Sequence, residues 1–358
     1  MRLTRTAAHA IDCNGNITIH NKDDLSAIEA CPTFRGVMIL GSSLSGNISI
    51  NFEGELLGLS SEPNDIEHLT LNPKYEIIDM GFIELHDMPK LQDFDFNGVN
   101  DIQNMSLTKL PSMESVYMPR TIGVEENLVL EDLPKFANFT VRDGFSVGGH
   151  SDEPSFGGLR VRNVGLPTLV MMLSHESFCG DIWIEGIPNI STLNLTIGDS
   201  GDIYIDGQGN LTVAFPPFKR MDTPVTGSSS PSITLFNISY IGAKPLRDEY
   251  HSNQPSYDPY YSSSKMRSVG LFNVSHSSME TIPLLFAGLK NLFVADNPNL
   301  EKFVVDNSWK GFNLENITVS NNPNANYEDG WTGGGAMLWP WRNMSTINLK
   351  GAYKNSFL

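Results

Sequence analysis

Acidic residues spaced to share a face are the groups in this chain best suited to chemistry. Asp181 and Glu185 stand four residues apart, and so do Asp202 and Asp206, one coil of about 21 residues further on. In an extended segment, residues an even number apart project to the same side. Stacking the two segments would therefore bring four carboxylates together. Such a cluster suits a general acid and base that cut a glycosidic bond, or a set of oxygen ligands for calcium. The preferred reading is a solvated outward face, because each pair flanks an inward-pointing apolar strand and nothing else converges there. Asp93-x-Asp95-x-Asn97-Gly98 has the opening of an EF-hand loop, but the twelfth position is Asn104 where a bidentate Glu is needed. These acids read as exposed positions between inward Phe94 and Phe96. Trp331, Trp339 and Trp341 could form a platform for sugar rings; a cap over the open end of the fold is preferred. The chain contains no G-x-S-x-G, H-E-x-x-H, P-loop or helix-opening G-x-G-x-x-G, and its histidines show no metal spacing. The expectation is a non-catalytic protein with no catalytic, cofactor-binding or metal residues.

A second chemistry is far better represented. Asn-x-Ser/Thr acceptors for N-glycosylation start at Asn16, Asn47, Asn104, Asn138, Asn189, Asn194, Asn210, Asn237, Asn273, Asn316 and Asn343. A lone sequon says little, since it needs the secretory pathway and a surface position. Eleven spread over the whole chain predict an extracellular glycoprotein.

Composition narrows the partners. The formal net charge is -17 over 358 residues and the basic residues form no stripe, so no nucleic-acid partner is expected. No run of eighteen apolar residues is present to span a membrane. Arg2 and Arg5 resemble the basic start of a signal peptide and Ala8-His9-Ala10 resembles a cleavage site, but no apolar stretch separates them. Phe357-Leu358 closes the sequence without an anchor signal. The expectation is a chain truncated at both ends, or one read from an imperfect gene model. Of three cysteines, Cys13 and Cys31 bracket the first expected strand and helix; a bond between them would close a loop worth about 3 kcal/mol. Three separate thiols is the alternative. Cys179 is left over.

The elements that must position these groups come from an internal repeat. IELHDMPKLQDFDF from Ile83, MSLTKLPSMESVYM from Met105, LVLEDLPKFANFTV from Leu128, IWIEGIPNISTLNL from Ile182 and LFVADNPNLEKFVV from Leu292 share one template. An apolar alternation is followed by two polar residues, a proline and a second set of apolar residues. Starts at 83, 105 and 128 set a period in the leucine-rich-repeat range. The alternation makes a short strand, the proline ends it and turns the chain, and Leu91 or Phe136 returns to the interior. One coil cannot bury its apolar face alone, whereas stacked coils give a continuous core and a parallel sheet. Asn297 and Asn322 are 25 residues apart in matching coils and predict an inward ladder bonded to backbone groups. Earlier coils put Met88, Leu110, Leu133 or Ile187 at that place. Lys22 to Ala30 is the one clear helix.

Pro-, Ser- and Tyr-rich segments break the rhythm at 216–232 and 244–268, the latter with Tyr250, Tyr257, Tyr260 and Tyr261. The expected organisation is a solenoid over 11–215, insertions over 216–268 around one strand at 233–241, and a second solenoid over 269–350.

The opening block, CNGNITIHNKDDLSAIEACPTFRGVMILGSSLSGNISI, resembles the start of a receptor L-domain. With the sequon density and irregular coils, the region 12–350 is similar to the fungal lipid-anchored cell-wall organisation proteins, the extracellular-mutant and sporulation-specific group. The resemblance implies a secreted L-domain glycoprotein at the plasma membrane or wall, needed for wall integrity and lacking catalytic residues. The expected fold is all-β: a right-handed, leucine-rich-repeat-like solenoid with parallel sheets and few helices. The expected partner is a wall polysaccharide or a cell-surface protein, with membrane contact only through a lipid anchor that this chain lacks. A receptor ectodomain binding a peptide or protein and a polysaccharide-processing β-helix enzyme are the alternatives.

Overall fold

Alternating apolar residues place every second side chain on one side of a strand, and in this protein that side is the interior. Ile83, Met105 and Leu128 lie in register on neighbouring parallel strands, as do Leu85, Leu107 and Leu130, and all six are buried. A slip of one residue would turn all of them to solvent, which fixes the register. The structure is a computed structural model that describes residues 12–143, 145–147, 158–169, 179–195, 199–215, 232–243, 271–284, 289–305, 315–325, 331–332 and 346–350. These residues form an all-β solenoid of parallel strands with a single helix among them. No helix among the described residues is long and apolar enough to cross a membrane.

The chain packs as two compact units, Met1–Pro167 and Thr168–Leu358. In the first, one sheet contains Ile17–Ile19, Phe34–Leu40, Gly54–Ser61, Ile77–His86, Val99–Thr108, Gly123–Leu133 and Gly158–Val164. A second sheet contains Ser45–Phe52, Asp65–Pro73, Asp93–Phe96, Ser115–Met118 and Asn138–Val141. The chain alternates between the two sheets, and each strand pairs with its counterpart one coil later. Phe94, Phe96, Val116 and Phe139 fill the space behind the second sheet.

A left-handed residue ends the strand. Asp87, Lys109, Asp132 and Asn163 each have φ between 52 and 55°, at the same place in successive coils. There the backbone turns away from the sheet while its N–H still reaches the next coil, as Lys109 N does to Glu131 O at 2.9 Å. Asp and Asn tolerate this conformation better than most side chains. After Asp87, Lys109 and Asp132, proline comes two residues later and acts in the following turn. Met88 O accepts from Leu91 N, Leu110 O from Met113 N and Leu133 O from Phe136 N, so Pro89, Pro111 and Pro134 each occupy the second position of a β-turn. That turn delivers Leu91 and Phe136 to the interior.

The helix, Lys22–Glu29, follows the first strand. Asn21 caps it by accepting from the N–H groups of Asp23 and Asp24, and Asp24 bonds back to the Asn21 N–H. Ile28 is its buried residue. Cys13 and Cys31 are joined by a disulfide with Cα atoms 5.8 Å apart, tying the segment before the first strand to the end of the helix.

In the second unit the main sheet contains Cys179–Glu185, Asp199–Phe215, Ser232–Ala243, Leu271–Ser275, Asn291–Ala295, Asn316–Ser320 and Thr346–Lys350. A smaller sheet contains Thr281–Leu284, Lys302–Val305 and Trp331–Thr332. Asn297 and Asn322 are 0% and 2% exposed, so their amides must be paired inside. Asn322 Oδ1 accepts from both the backbone N–H and Nδ2 of Asn297 at 3.0 Å. The two Nδ2 groups also donate to Val274 O and Val294 O at 3.2 Å. The ladder runs one coil further back, where Asn297 Oδ1 accepts from Ser277 N and Ser277 Oγ accepts from Ile238 N. The strand expected at 233–241 is Ser232–Ala243. The insertions around it lie largely outside the described residues, and the packing of the chain divides at Pro167 rather than at these insertions.

Candidate functional site

The outward face of the second sheet in the first unit gathers titratable and hydroxyl groups in register. Because Leu69, Leu71, Phe94, Phe96, Val116 and Met118 point inward, the residues between and before them point out. Pairing aligns these in two rows. One row is Asn47, His68, Asp93, Ser115 and Asn138; the other is Ser49, Thr70, Asp95, Tyr117 and Thr140. Asp93 is the hub of the first row: its Oδ2 lies 2.8 Å from His68 Nδ1, and its Oδ1 accepts from Ser115 Oγ at 2.5 Å. In the second row, burial pushes the Asp95 carboxyl above its ordinary value. Tyr117, beside it, is 45% exposed.

The order of groups decides what this row can do. In a serine relay the imidazole sits between hydroxyl and carboxylate and takes the proton. Here the carboxylate sits between hydroxyl and imidazole, so Ser115 donates to a weak base and gains no nucleophilicity. The row fixes hydrogen-bonding groups on a rigid frame. Asp93 and Asp95 nonetheless occupy unlike environments, two residues apart along the strand, a separation of roughly 7 Å. That is near the spacing of acid and base in inverting glycosidases. The EF-hand-like reading finds no support in this geometry, since Asp93 is committed to His68 and Ser115.

The acidic pairs of the second unit lie on adjacent strands. Asp202 N donates to Asp181 Oδ1 at 2.8 Å, and Glu185 is in register with Asp206. Asp206 Oδ1 accepts from Gln208 N at 3.0 Å and from Asn237 Nδ2 at 3.3 Å. Asp181 and Asp202 are exposed. Between the acids, Trp183 stacks on Tyr204 with ring centroids 4.2 Å apart and planes at 25°. Trp183 is 42% exposed. The Tyr204 hydroxyl is pushed above its ordinary value, first by burial and then by the Asp206 and Glu185 carboxylates. Among the described residues, no three His, Cys, Asp or Glu side chains are grouped to hold a metal ion.

Sequence reasoning missed His68, Ser115, Tyr117, Trp183 and Tyr204. The available signal was their place between inward apolar residues at coil spacing. Trp339 and Trp341 lie outside the described residues, and Trp331 is placed only as strand backbone paired with Phe303. Asn343 also lies outside them, and the side chains of Asn194 and Asn210 are not described. Asn16, Asn47, Asn138 and Asn189 are exposed, whereas Asn104, Asn237, Asn273 and Asn316 are half-buried. Comparison with protein-family models, with curated proteins and with solved structures finds no match to this chain.

Proposed function

We propose that this chain is a non-catalytic, extracellular glycoprotein that supports the organisation and integrity of a cell wall, like the fungal lipid-anchored wall proteins it resembles. It holds a wall polysaccharide or another surface protein against its outward sheet faces. Membrane contact is through a lipid anchor alone, and nucleic acid is not a partner. The observation that carries this reading is the outward face around Asp93 and Tyr117. Rows of amide, carboxylate, imidazole and hydroxyl groups stand in register there beside an exposed aromatic ring. A hydroxyl-rich polymer is held by this combination of hydrogen bonds and ring stacking. The Cys13–Cys31 disulfide supports an oxidising compartment.

Co-sedimentation of the purified, secreted chain with insoluble wall glucan and with surface-protein extract tests the reading. Wild type is retained by one of them, and Tyr117→Ala with Asp95→Ala weakens retention about tenfold, roughly 1.4 kcal/mol. Retention by neither removes the proposal. The enzyme reading is kept as second because Asp93 and Asp95 have unlike surroundings. It requires release of reducing sugar from wall glucan and loss of that release in Asp95→Asn.

A further inference from the structure

All eleven sequons have one form: Asn, an apolar residue, then Ser or Thr. The solenoid accounts for it. The middle residue points inward, as Ile48, Met105, Phe139, Ile238 and Ile317 do, so the Asn and the hydroxyl flank it on the outside. A fold that places Asn, Ser and Thr on outward rows therefore writes sequons as a by-product.

Outward asparagines in such rows bond to the neighbouring coil. Asn104 donates Nδ2 to Glu126 Oε2 at 2.8 Å and accepts from Asn127 Nδ2 at 2.9 Å. Asn316 donates Nδ2 to Asn291 Oδ1 at 2.7 Å. Asn237 donates Nδ2 to Asp206 Oδ1 at 3.3 Å and holds a left-handed φ of 51°. The Oδ1 of Asn273 is buried without a hydrogen-bond partner among the described residues, so this residue stands outside the ladder. By contrast, Asn16, Asn47 and Asn138 are exposed and make no side-chain hydrogen bond among the described residues. Asn189 is exposed in the turn after Pro188.

We infer that N-glycans are carried at Asn16, Asn47, Asn138 and Asn189, and that Asn104, Asn237 and Asn316 are coil-to-coil ladder residues that carry none. The inference rests on the secreted reading above. Transfer joins Nδ2 to the anomeric carbon of a lipid-pyrophosphate-linked oligosaccharide. The bond from that carbon to the pyrophosphate oxygen breaks, the lipid pyrophosphate leaves, and the amide gives up one proton. At Asn104 or Asn316 the first sugar would stand where Glu126 or Asn291 packs, on strands spaced about 4.8 Å apart. Glycoforms modified there stack poorly and are depleted from the folded, secreted pool.

The test is peptide mapping of the full chain secreted from a eukaryotic host, after enzymatic deglycosylation in heavy-oxygen water. Each occupied Asn then shows a mass increase. The expected increase falls on Asn16, Asn47, Asn138 and Asn189, with at most traces on the three ladder residues. Equal occupancy of Asn104, Asn237 or Asn316 with Asn47 overturns the inference and leaves the secreted reading standing. A chain that is not exported, or carries no glycan anywhere, overturns both. Gel mobility of single variants gives a second readout. Asn47→Gln and Asn138→Gln each lose one glycan step, while Asn104→Gln and Asn316→Gln lose none. A lost step in Asn104→Gln overturns the inference, and the wild-type map decides wherever a variant fails to fold.

Discussion

Two side chains show how much one residue can decide here. Asn322 Oδ1 accepts two bonds from Asn297 inside the second unit. Asn322→Ala leaves those donors, and the carbonyl of Val294, unpaired in the interior. Each buried unpaired group costs about 1–3 kcal/mol, so urea unfolding should show a loss of roughly 3 kcal/mol or more; a loss within error would mean that water replaces the amide. Asp95 works in the other direction. Burial raises its folded pKa above 3.8, so the folded state favours the protonated acid. Its unfavourable contribution is absent below the unfolded pKa and develops as pH rises through the folded value. Asp95→Asn should therefore be more stable than wild type at pH 7 and equal to it near pH 3, with urea midpoints at the two pH values as the check. The Asn ladder was legible because Asn-Pro stands where other coils have an apolar residue and Pro. The His68–Asp93–Ser115 row was not, since its members are 25 and 22 residues apart and alternation marks them as outward without showing which of them meet.

At the scale of the element, the left-handed residue governs each strand's end. Sequence reading assigned that task to proline, which instead shapes the next turn. Lys109 holds φ 52° with a Cβ that crowds its own backbone. Lys109→Gly should stabilise the chain by about 1 kcal/mol, because glycine adopts this conformation freely. Lys109→Ile should destabilise it by about 1–2 kcal/mol, since a β-branched side chain there is a genuine outlier. Thermal unfolding of the pair tests the argument: a glycine variant that melts below wild type would show that the exposed contact of Lys109 with Asp87 matters more than strain.

At the scale of the whole molecule, a solenoid exposes the apolar edge of its first coil unless something covers it. In the first unit that coil is covered by the capped helix and tied down by the Cys13–Cys31 disulfide. Removing the bond, as Cys13→Ser with Cys31→Ser, should cost about 3 kcal/mol for a loop of this size. Hydrogen exchange should then rise first in Ile17–Ile19 and Phe34–Leu40 and spare Val99–Thr108. Uniform loss of protection would mean that the unit unfolds as one block. Glycans at Asn47 and Asn138 would stand at the two ends of the row holding His68, Asp93 and Ser115, leaving a window three strands wide. The sequence by itself determined the all-β solenoid, because alternation, turn and return to the interior are local properties that each coil repeats. Tertiary structure alone decided which outward residues meet. In the second sheet, successive inward residues Ile48, Leu69, Phe94, Val116 and Phe139 are separated by 21, 25, 22 and 23 positions. Lateral neighbours are therefore set by how unequal coils stack their cores, a long-range condition that no window of sequence contains.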